Sequence, residues 1–270
     1  MPTLQIGTSG WVYRHWRGVF YPPDLASDKL LPFYATRFDS VEINYSFYRL
    51  PERSTFELWR RQVPPHFLFA VKASRFLTHM KKLSDPEEPL ARLMERAAGL
   101  GEQLGPILFQ LPHTWQCNTE RLAGFVQALD RYAPQRFAFE FRHASWLVPD
   151  VYTLLERAGA ALCLPVHPTI PLEVRTTAPW TYIRLHGGRH GIGYGDDELV
   201  EWARRIRGFL DGGLDIYVYF NNDAEGHAVR DAGRLKQLLS VQLGNSDALL
   251  AGDGIEQVCA AALAVDEGIA

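Results

Sequence analysis

Six charged or titratable side chains stand on or beside short apolar segments of this chain: Glu42, Lys72, Glu140, Arg142, Arg184 and His186. Two carboxylates brought together can divide general acid and general base work, because their surroundings can drive their pKa values apart. A lysine among small residues can serve as base, anion clamp or Schiff-base nucleophile. Lys72, Arg142 and Arg184 together suit sulfate, phosphate or a carboxylate. Glu42, Glu140, His186 and Lys72 are therefore the candidate catalytic groups. A working acid or base tolerates substitution well, since crowded charge is accepted at functional sites. On that reading Glu140→Gln should leave the melting temperature nearly unchanged. The plainer reading is structural: burying Glu42 alone is costly, and an ion pair with Lys72 or Arg142 would simply fill the interior.

These residues need elements that point them the same way, and the sequence alternates accordingly. In FAFEFR, Phe137, Phe139 and Phe141 fall on one face of a strand and Ala138, Glu140 and Arg142 on the other. SVEIN sets Val41 and Ile43 against Ser40, Glu42 and Asn44; YIRLHG sets Ile183 and Leu185 against Tyr182, Arg184 and His186. FLFAVKAS sets Phe69 and Val71 against Ala70 and Lys72, and IYVYFNN turns Tyr217, Tyr219 and Asn221 inward. Strands of a parallel sheet covered on both faces usually read as continuous apolar runs. Charges repeated on one face point to a closed barrel whose axis is polar at one end, where such barrels keep their active sites.

Strands are expected near 4–8, 40–45, 67–73, 106–111, 137–142, 161–166, 181–186 and 216–221. Helices are expected near 27–37, 54–63, 86–104, 119–131, 149–158, 196–211 and 225–239. Ser54 with Glu57 fits a capping box. Asp85 before Pro86 fits an N-cap followed by proline at the first helical position. Residues 167–180 carry three prolines and no helical stripe, so irregular structure is expected there. The fold class is α/β: a single (β/α)8 TIM-like barrel over 1–239, its sixth helix irregular or missing. A short C-terminal extension over 240–270 follows, with one helix expected over 255–265.

The loops after the strands add candidates for ligand binding. Residues 8–22 interleave Trp11, Tyr13, Trp16, Phe20 and Tyr21 with Arg14, His15 and Arg17. Such rings stack on bases or sugars, or close the barrel mouth as a small core. Arg75, Thr78, His79, Lys81 and Lys82 make a basic loop after the third strand. Asn44, Gln110, Arg142, His143, Arg184, Asn221 and Asn222 complete the set, with Tyr194 in the glycine-bearing loop 187–195. That loop is neither a dinucleotide fingerprint nor a P-loop. No HExxH, cysteine pair or EF-hand spacing occurs, and Lys72, Arg142 and Arg184 oppose a metal in the same space. No cofactor is expected; a divalent metal is the alternative that Glu42, Glu140 and His186 leave open.

Composition fits one soluble domain. The chain has 270 residues, 47% hydrophobic, with a net charge of −3. It lacks an apolar run of roughly 18 residues and a signal-peptide pattern. Cys117, Cys163 and Cys259 are too few and too scattered for a disulfide framework. A cytosolic protein without membrane contact is expected. The mild acidity gives no global attraction to nucleic acid but leaves room for a local basic patch.

The segments GTSGWVYRHWRGVFYP, VEINYSFYRLP, FLFAVKASRFLTHMKKL, ILFQLPHTW, FEFRHASW, YIRLHG and FNN together resemble the YecE-like family, the domain of unknown function 72. The resemblance spans roughly residues 4–239. It implies a TIM barrel with no assigned activity. A fold analogy to endonuclease IV implies DNA as a ligand, although the matching metal ligands are missing here. The family pattern carries over to Glu42, Asn44, Lys72, Thr78, His79, Gln110, Glu140, Arg142, His143, Arg184, His186, Gly187, Asn221 and Asn222. His167 stands where an acidic residue is expected, and Asp231 where asparagine is expected. Two functions compete. One is a hydrolase acting on a phosphate-containing or glycosidic substrate. The other is a non-catalytic binder of nucleic acid or a phosphorylated ligand.

Overall fold

A computed structural model describes residues 1–244. Eight strands run in the expected order: β1 Leu4–Thr8, β2 Ser40–Ile43, β3 Leu68–Lys72, β4 Leu104–Gln110, β5 Phe137–Glu140, β6 Ala161–Val166, β7 Trp180–Leu185 and β8 Asp215–Phe220. Every pairing is parallel, in the order β1-β8-β7-β6-β5-β4-β3-β2. The seam between β1 and β2 closes through a bridge from Ser9 to Glu42, with the Gly10 N–H donating to the Glu42 carbonyl at 2.8 Å. Gly7 permits that approach: a Cβ there would lie 2.0 Å from the Ser40 carbonyl oxygen.

The alternation read from the sequence sorts the core into two shells. Val41, Ile43, Phe69, Val71, Phe137, Phe139, Ile183 and Leu185 face outward into the large apolar cluster beneath the helices. Ala70, Leu108, Ala138, Ala161 and Cys163 fill one half of the barrel interior, and Trp180, Tyr182, Tyr217 and Tyr219 the other. Small side chains on β3–β6 thus make room for rings from β7 and β8, which is how a small barrel packs solid. At the N-terminal end of the strands Arg136 pairs with Asp215 at 2.5 Å and with the Tyr217 hydroxyl at 2.8 Å.

The helices are α1 Leu30–Tyr34, α2 Tyr45–Tyr48, α3 Arg53–Arg61, α4 Glu87–Ala97, α5 Thr119–Leu129, α6 Pro149–Arg157, α7 Asp196–Asp211 and α8 His227–Gly244. Residues 167–179 contain none, so the sixth helix is absent. Four local expectations change. The expected helix over 27–37 is α-helical only as α1, after a 3-10 turn at Ser27–Lys29. Helix α3 begins one residue before Ser54, after Glu52, with no side-chain cap. Its Glu57 instead accepts from Arg53 at 3.2 Å. Asp85 does not cap α4: it has φ +40°, and Pro86 takes the cap position. The expected helix over 86–104 ends as α4 at Ala97, where the chain tightens to a 3-10 stretch with Gly101 at φ +56°. Two short elements have no period long enough to read in sequence: α2, and a single π-helical stretch at Phe76–Met80. The expected boundary at 239/240 falls within α8. Residues 245–270, with the expected helix over 255–265 and Cys259, lie outside the described residues.

Candidate active site at the barrel mouth

Residues at the C-terminal ends of β2, β3, β4, β5 and β7 converge on one ion network. Arg184 lies at its centre and is fully buried. Its Nε and Nη2 donate to the two oxygens of Glu42 at 3.0 and 2.8 Å. Its Nη1 donates to Glu140 Oε2 at 2.6 Å, and Ser9 Oγ lies 3.3 Å from Nη2. The planar fork is thereby matched to two carboxylates on different strands, the geometry arginine is suited to. Glu42 also accepts from Ser9 Oγ and, at 2.7 Å, from the Tyr182 hydroxyl. Glu140 Oε1 accepts from Gln110 Nε2 at 2.8 Å and from Arg142 Nε at 2.6 Å.

Electrostatics follow from this packing. Burial is the strongest single pull and acts upward on both carboxyls, but Arg184 together with Lys72 at Glu42, and with Arg142 and His186 at Glu140, outweighs it. Glu42 is held below the usual carboxylate range and Glu140 well below it. Both are anions at neutral pH, with no exposed side-chain surface. A general acid needs a proton to give near working pH, and neither carboxyl retains one.

Lys72 is different. Its Nζ lies 3.2 Å from Asn44 Oδ1 and 4.2 Å from the centre of the Phe47 ring. Among the described residues no carboxylate comes within 4.0 Å of it. Burial first, then the charge of Arg184, pushes its amine down to about 7, against the pull of Glu42 and Glu140. Near neutral pH the amine is therefore divided between its two forms. His186 is pushed down to about 4 by burial and by Arg184. Its Nδ1 is 3.0 Å from Asn221 Nδ2, and its Nε2 is 3.4 Å from Arg184 Nη1 and 3.5 Å from Arg142 Nη2. A neutral ring suits that company. His79, half-buried with its ring edge-on to Phe47 at 5.1 Å, is pushed down to about 4 by burial and by Lys72. Arg142 keeps 28% of its side chain exposed, so the network reaches solvent through its guanidinium.

The mouth therefore joins Glu42, Asn44, Lys72, His79, Gln110, Glu140, Arg142, Arg184, His186 and Asn221. Four other candidates lie outside this cluster, each in contacts of its own. The Trp11 ring is buried edge-on against Trp59 at 5.1 Å. His143 Nδ1 accepts from the Ser145 backbone N–H at 3.2 Å and contacts its hydroxyl at 2.8 Å. The Tyr194 hydroxyl accepts from the Gly187 N–H at 3.0 Å and donates to the Val166 carbonyl at 3.2 Å, which ties down the loop after β7. Asn222 donates to Asp231 Oδ2 at 2.8 Å, and the same oxygen accepts the Tyr194 N–H at 3.1 Å. The departure at 231 is thus a buried acceptor for that loop.

Sequence reading missed three members. Ser9 lies two positions past Gly7, in inward phase. Tyr182 shares the phase of Arg184. Phe47 carries no signal beyond its place after β2. No group of three or more His, Cys, Asp or Glu side chains is arranged to hold a metal among the described residues. The carboxylates that would serve are committed to Arg184. An outer groove of about 460 Å³, lined by Arg53, Arg60, Arg61 and Gln103, lies beside α3, away from the mouth.

The model of the family described as "Protein of unknown function DUF72" matches residues 5–251. The chain belongs to the DUF72 family. Among curated proteins this DUF72 chain is 25% identical to the UPF0759 protein YunF of Bacillus subtilis (strain 168), over 88% of the chain and 95% of the relative. A DUF72 family protein from Thermotoga maritima has a similar crystal structure, with TM-score 0.77 and 28% identity. That match covers 88% of this chain and 99% of that one. A DUF72 protein from Enterococcus faecalis has the same fold, with TM-score 0.75 at 18% identity over 88% of this chain and 96% of that one. Among the described residues no helix is long and apolar enough to cross a membrane.

Proposed function

We propose that this DUF72 barrel binds a small, phosphate-containing anion at its mouth and hydrolyses it. In this reading Lys72 is the base and Arg142 the clamp. The observation that carries it is Lys72: an amine 6% exposed, without a carboxylate partner among the described residues, held near its midpoint at neutral pH. A base is most effective when its pKa lies near the working pH. Arg142 spends Nε on Glu140 and keeps its outer edge for an anion. Glu42, Glu140 and Arg184 form the rigid frame beneath and exchange no protons. Glycoside cleavage by the carboxylate pair loses its support, because it needs one carboxyl protonated and Arg184 keeps both ionised.

The test pairs binding with turnover. Titration with inorganic phosphate should show weakened binding in Arg142→Ala, and hydrolysis of a small phosphomonoester should be lost in Lys72→Met. Arg184→Ala is a poor probe, since it would strand two buried carboxylates. Phosphate binding without turnover in the wild type would replace the hydrolase by a binding protein. Equal phosphate affinity in wild type and Arg142→Ala would remove the anion site itself.

A further inference from the structure

Outside the ion network, the same end of the barrel carries a surface of another kind. Helix α2 follows β2 and the π-helical stretch Phe76–Met80 follows β3, so both stand on the rim of the mouth. They meet where the Phe47 ring lies edge-on to His79. From these two short elements Tyr45, Tyr48, Phe76 and Met80 project into solvent, Tyr48 and Met80 each 66% exposed. Isolated exposed apolar residues are ordinary; four on two adjoining elements are a patch. Arg49, Arg75 and Lys82 flank it, and none of them makes an ion pair among the described residues. The segment is also strained: Lys82, Leu83 and Asp85 adopt φ of +46°, +62° and +40°. Left-handed conformations in non-glycine residues, and single π-helical turns, persist where the surroundings hold them and gather at functional sites.

We propose that this rim binds single-stranded nucleic acid, with bases stacked on the exposed rings and phosphates on Arg49, Arg75 and Lys82. The proposal goes beyond the small-ligand reading of the mouth and does not depend on it. Charge selects a polyanion, since three exposed cations make no ion pair among the described residues. The rings select unpaired bases, whose faces are open to stacking as those of a duplex are not. An acidic peptide would satisfy the cations and leave the tyrosines without planar partners.

The experiment is fluorescence anisotropy with the full chain, using a labelled oligothymidylate and a base-free deoxyribose-phosphate chain of equal length. The wild type should bind oligothymidylate, with a log–log salt slope of about −2 for three phosphates engaged. Tyr45→Ala/Tyr48→Ala should lose about tenfold or more in affinity. Both rings are exposed, so its melting temperature should stay at the wild-type value. Arg75→Ala should flatten the salt slope. Leu58→Ala, exposed on α3 outside the rim, should change nothing. Equal affinity for the base-free chain would reduce the rim to a plain polyanion patch and overturn the proposal. So would the absence of saturable binding, or capture by vesicles of anionic lipid that oligothymidylate cannot displace. Because the phosphate titration reads Arg142 and this assay reads the rim, either result can fail alone.

Discussion

Replacing Glu140 by glutamine keeps the side-chain volume and removes one of the two anions that neutralise Arg184. Four groups surround that carboxylate: Arg184 Nη1 and Arg142 Nε at 2.6 Å, Gln110 Nε2 at 2.8 Å, and His186 Nε2 at 3.6 Å. Three are donors, so a glutamine NH2 must face a donor in either orientation of its amide. No solvent reaches the site to compensate. Breaking a buried pair from one side costs about 3–5 kcal/mol. A chain of this size loses about 2–4 °C per kcal/mol, which gives a fall of about 6–20 °C for Glu140→Gln at pH 7. The assay is thermal unfolding followed by circular dichroism. The difference from wild type should narrow in acid. The folded carboxyl sits well below its ordinary value of 4.5, so its contribution is present above that value and is lost as the pH falls through the folded pKa. This reverses the small change expected when Glu140 is read from sequence as an acid or base. A fall of less than about 2 °C would refute the claim that this carboxylate holds the frame together.

Lys72→Met should behave oppositely. The folded amine sits near 7, far below its ordinary 10.5, so the cost of burying its charge is fully present below pH 7 and fades as the pH rises towards 10.5. The variant should gain stability on the order of a few kcal/mol at pH 6, and the gain should vanish near pH 10; denaturant midpoints that fall at pH 6 would contradict this. Gly7→Ala should destabilise by about 1–3 kcal/mol, because its Cβ meets the Ser40 carbonyl at 2.0 Å; an unchanged melting temperature would mean that the β1–β2 seam is looser than described. Tyr194→Phe removes the hydroxyl that accepts the Gly187 N–H. Amide exchange should rise in the loop after β7 and not in β3, and uniform protection would argue against its anchoring role.

The barrel and the end that carries its charges were legible because a strand reports its two faces through a period of 2. Glu42, Lys72, Glu140 and Arg184 each broke an apolar run in the same phase. What the sequence could not convey is who pairs with whom. Phase places a side chain inside; the stagger of neighbouring strands decides which carboxylate its charged end meets. Arg184, on β7, reaches Glu42 on β2 and Glu140 on β5 at once, and no spacing along the chain encodes that crossing. The short elements escaped for another reason. Four residues in α2 and five at Phe76–Met80 are too few to show a helical period, and after the second of them Lys82, Leu83 and Asp85 adopt backbone angles that no local propensity favours.

That distinction changes how the site divides its labour. Read along the sequence, two glutamates on inward faces look like an acid–base pair. Read in space, they are the two walls of a cradle for one guanidinium, and their charge is already spent. Among the described residues the amine of Lys72 has no such wall. It is held by an amide and a ring, neither of which stabilises its positive form as a carboxylate would, and it sits close enough to Arg184 and Arg142 for both to oppose its protonation. A protein that only needed to fill its barrel would gain by placing an apolar side chain there. Keeping a lysine at position 72 costs stability, and the proposed role as base is what would offset that cost. Lys72 is therefore where the chemistry of this barrel should be sought first, with Glu42, Glu140 and Arg184 as the frame that sets its charge.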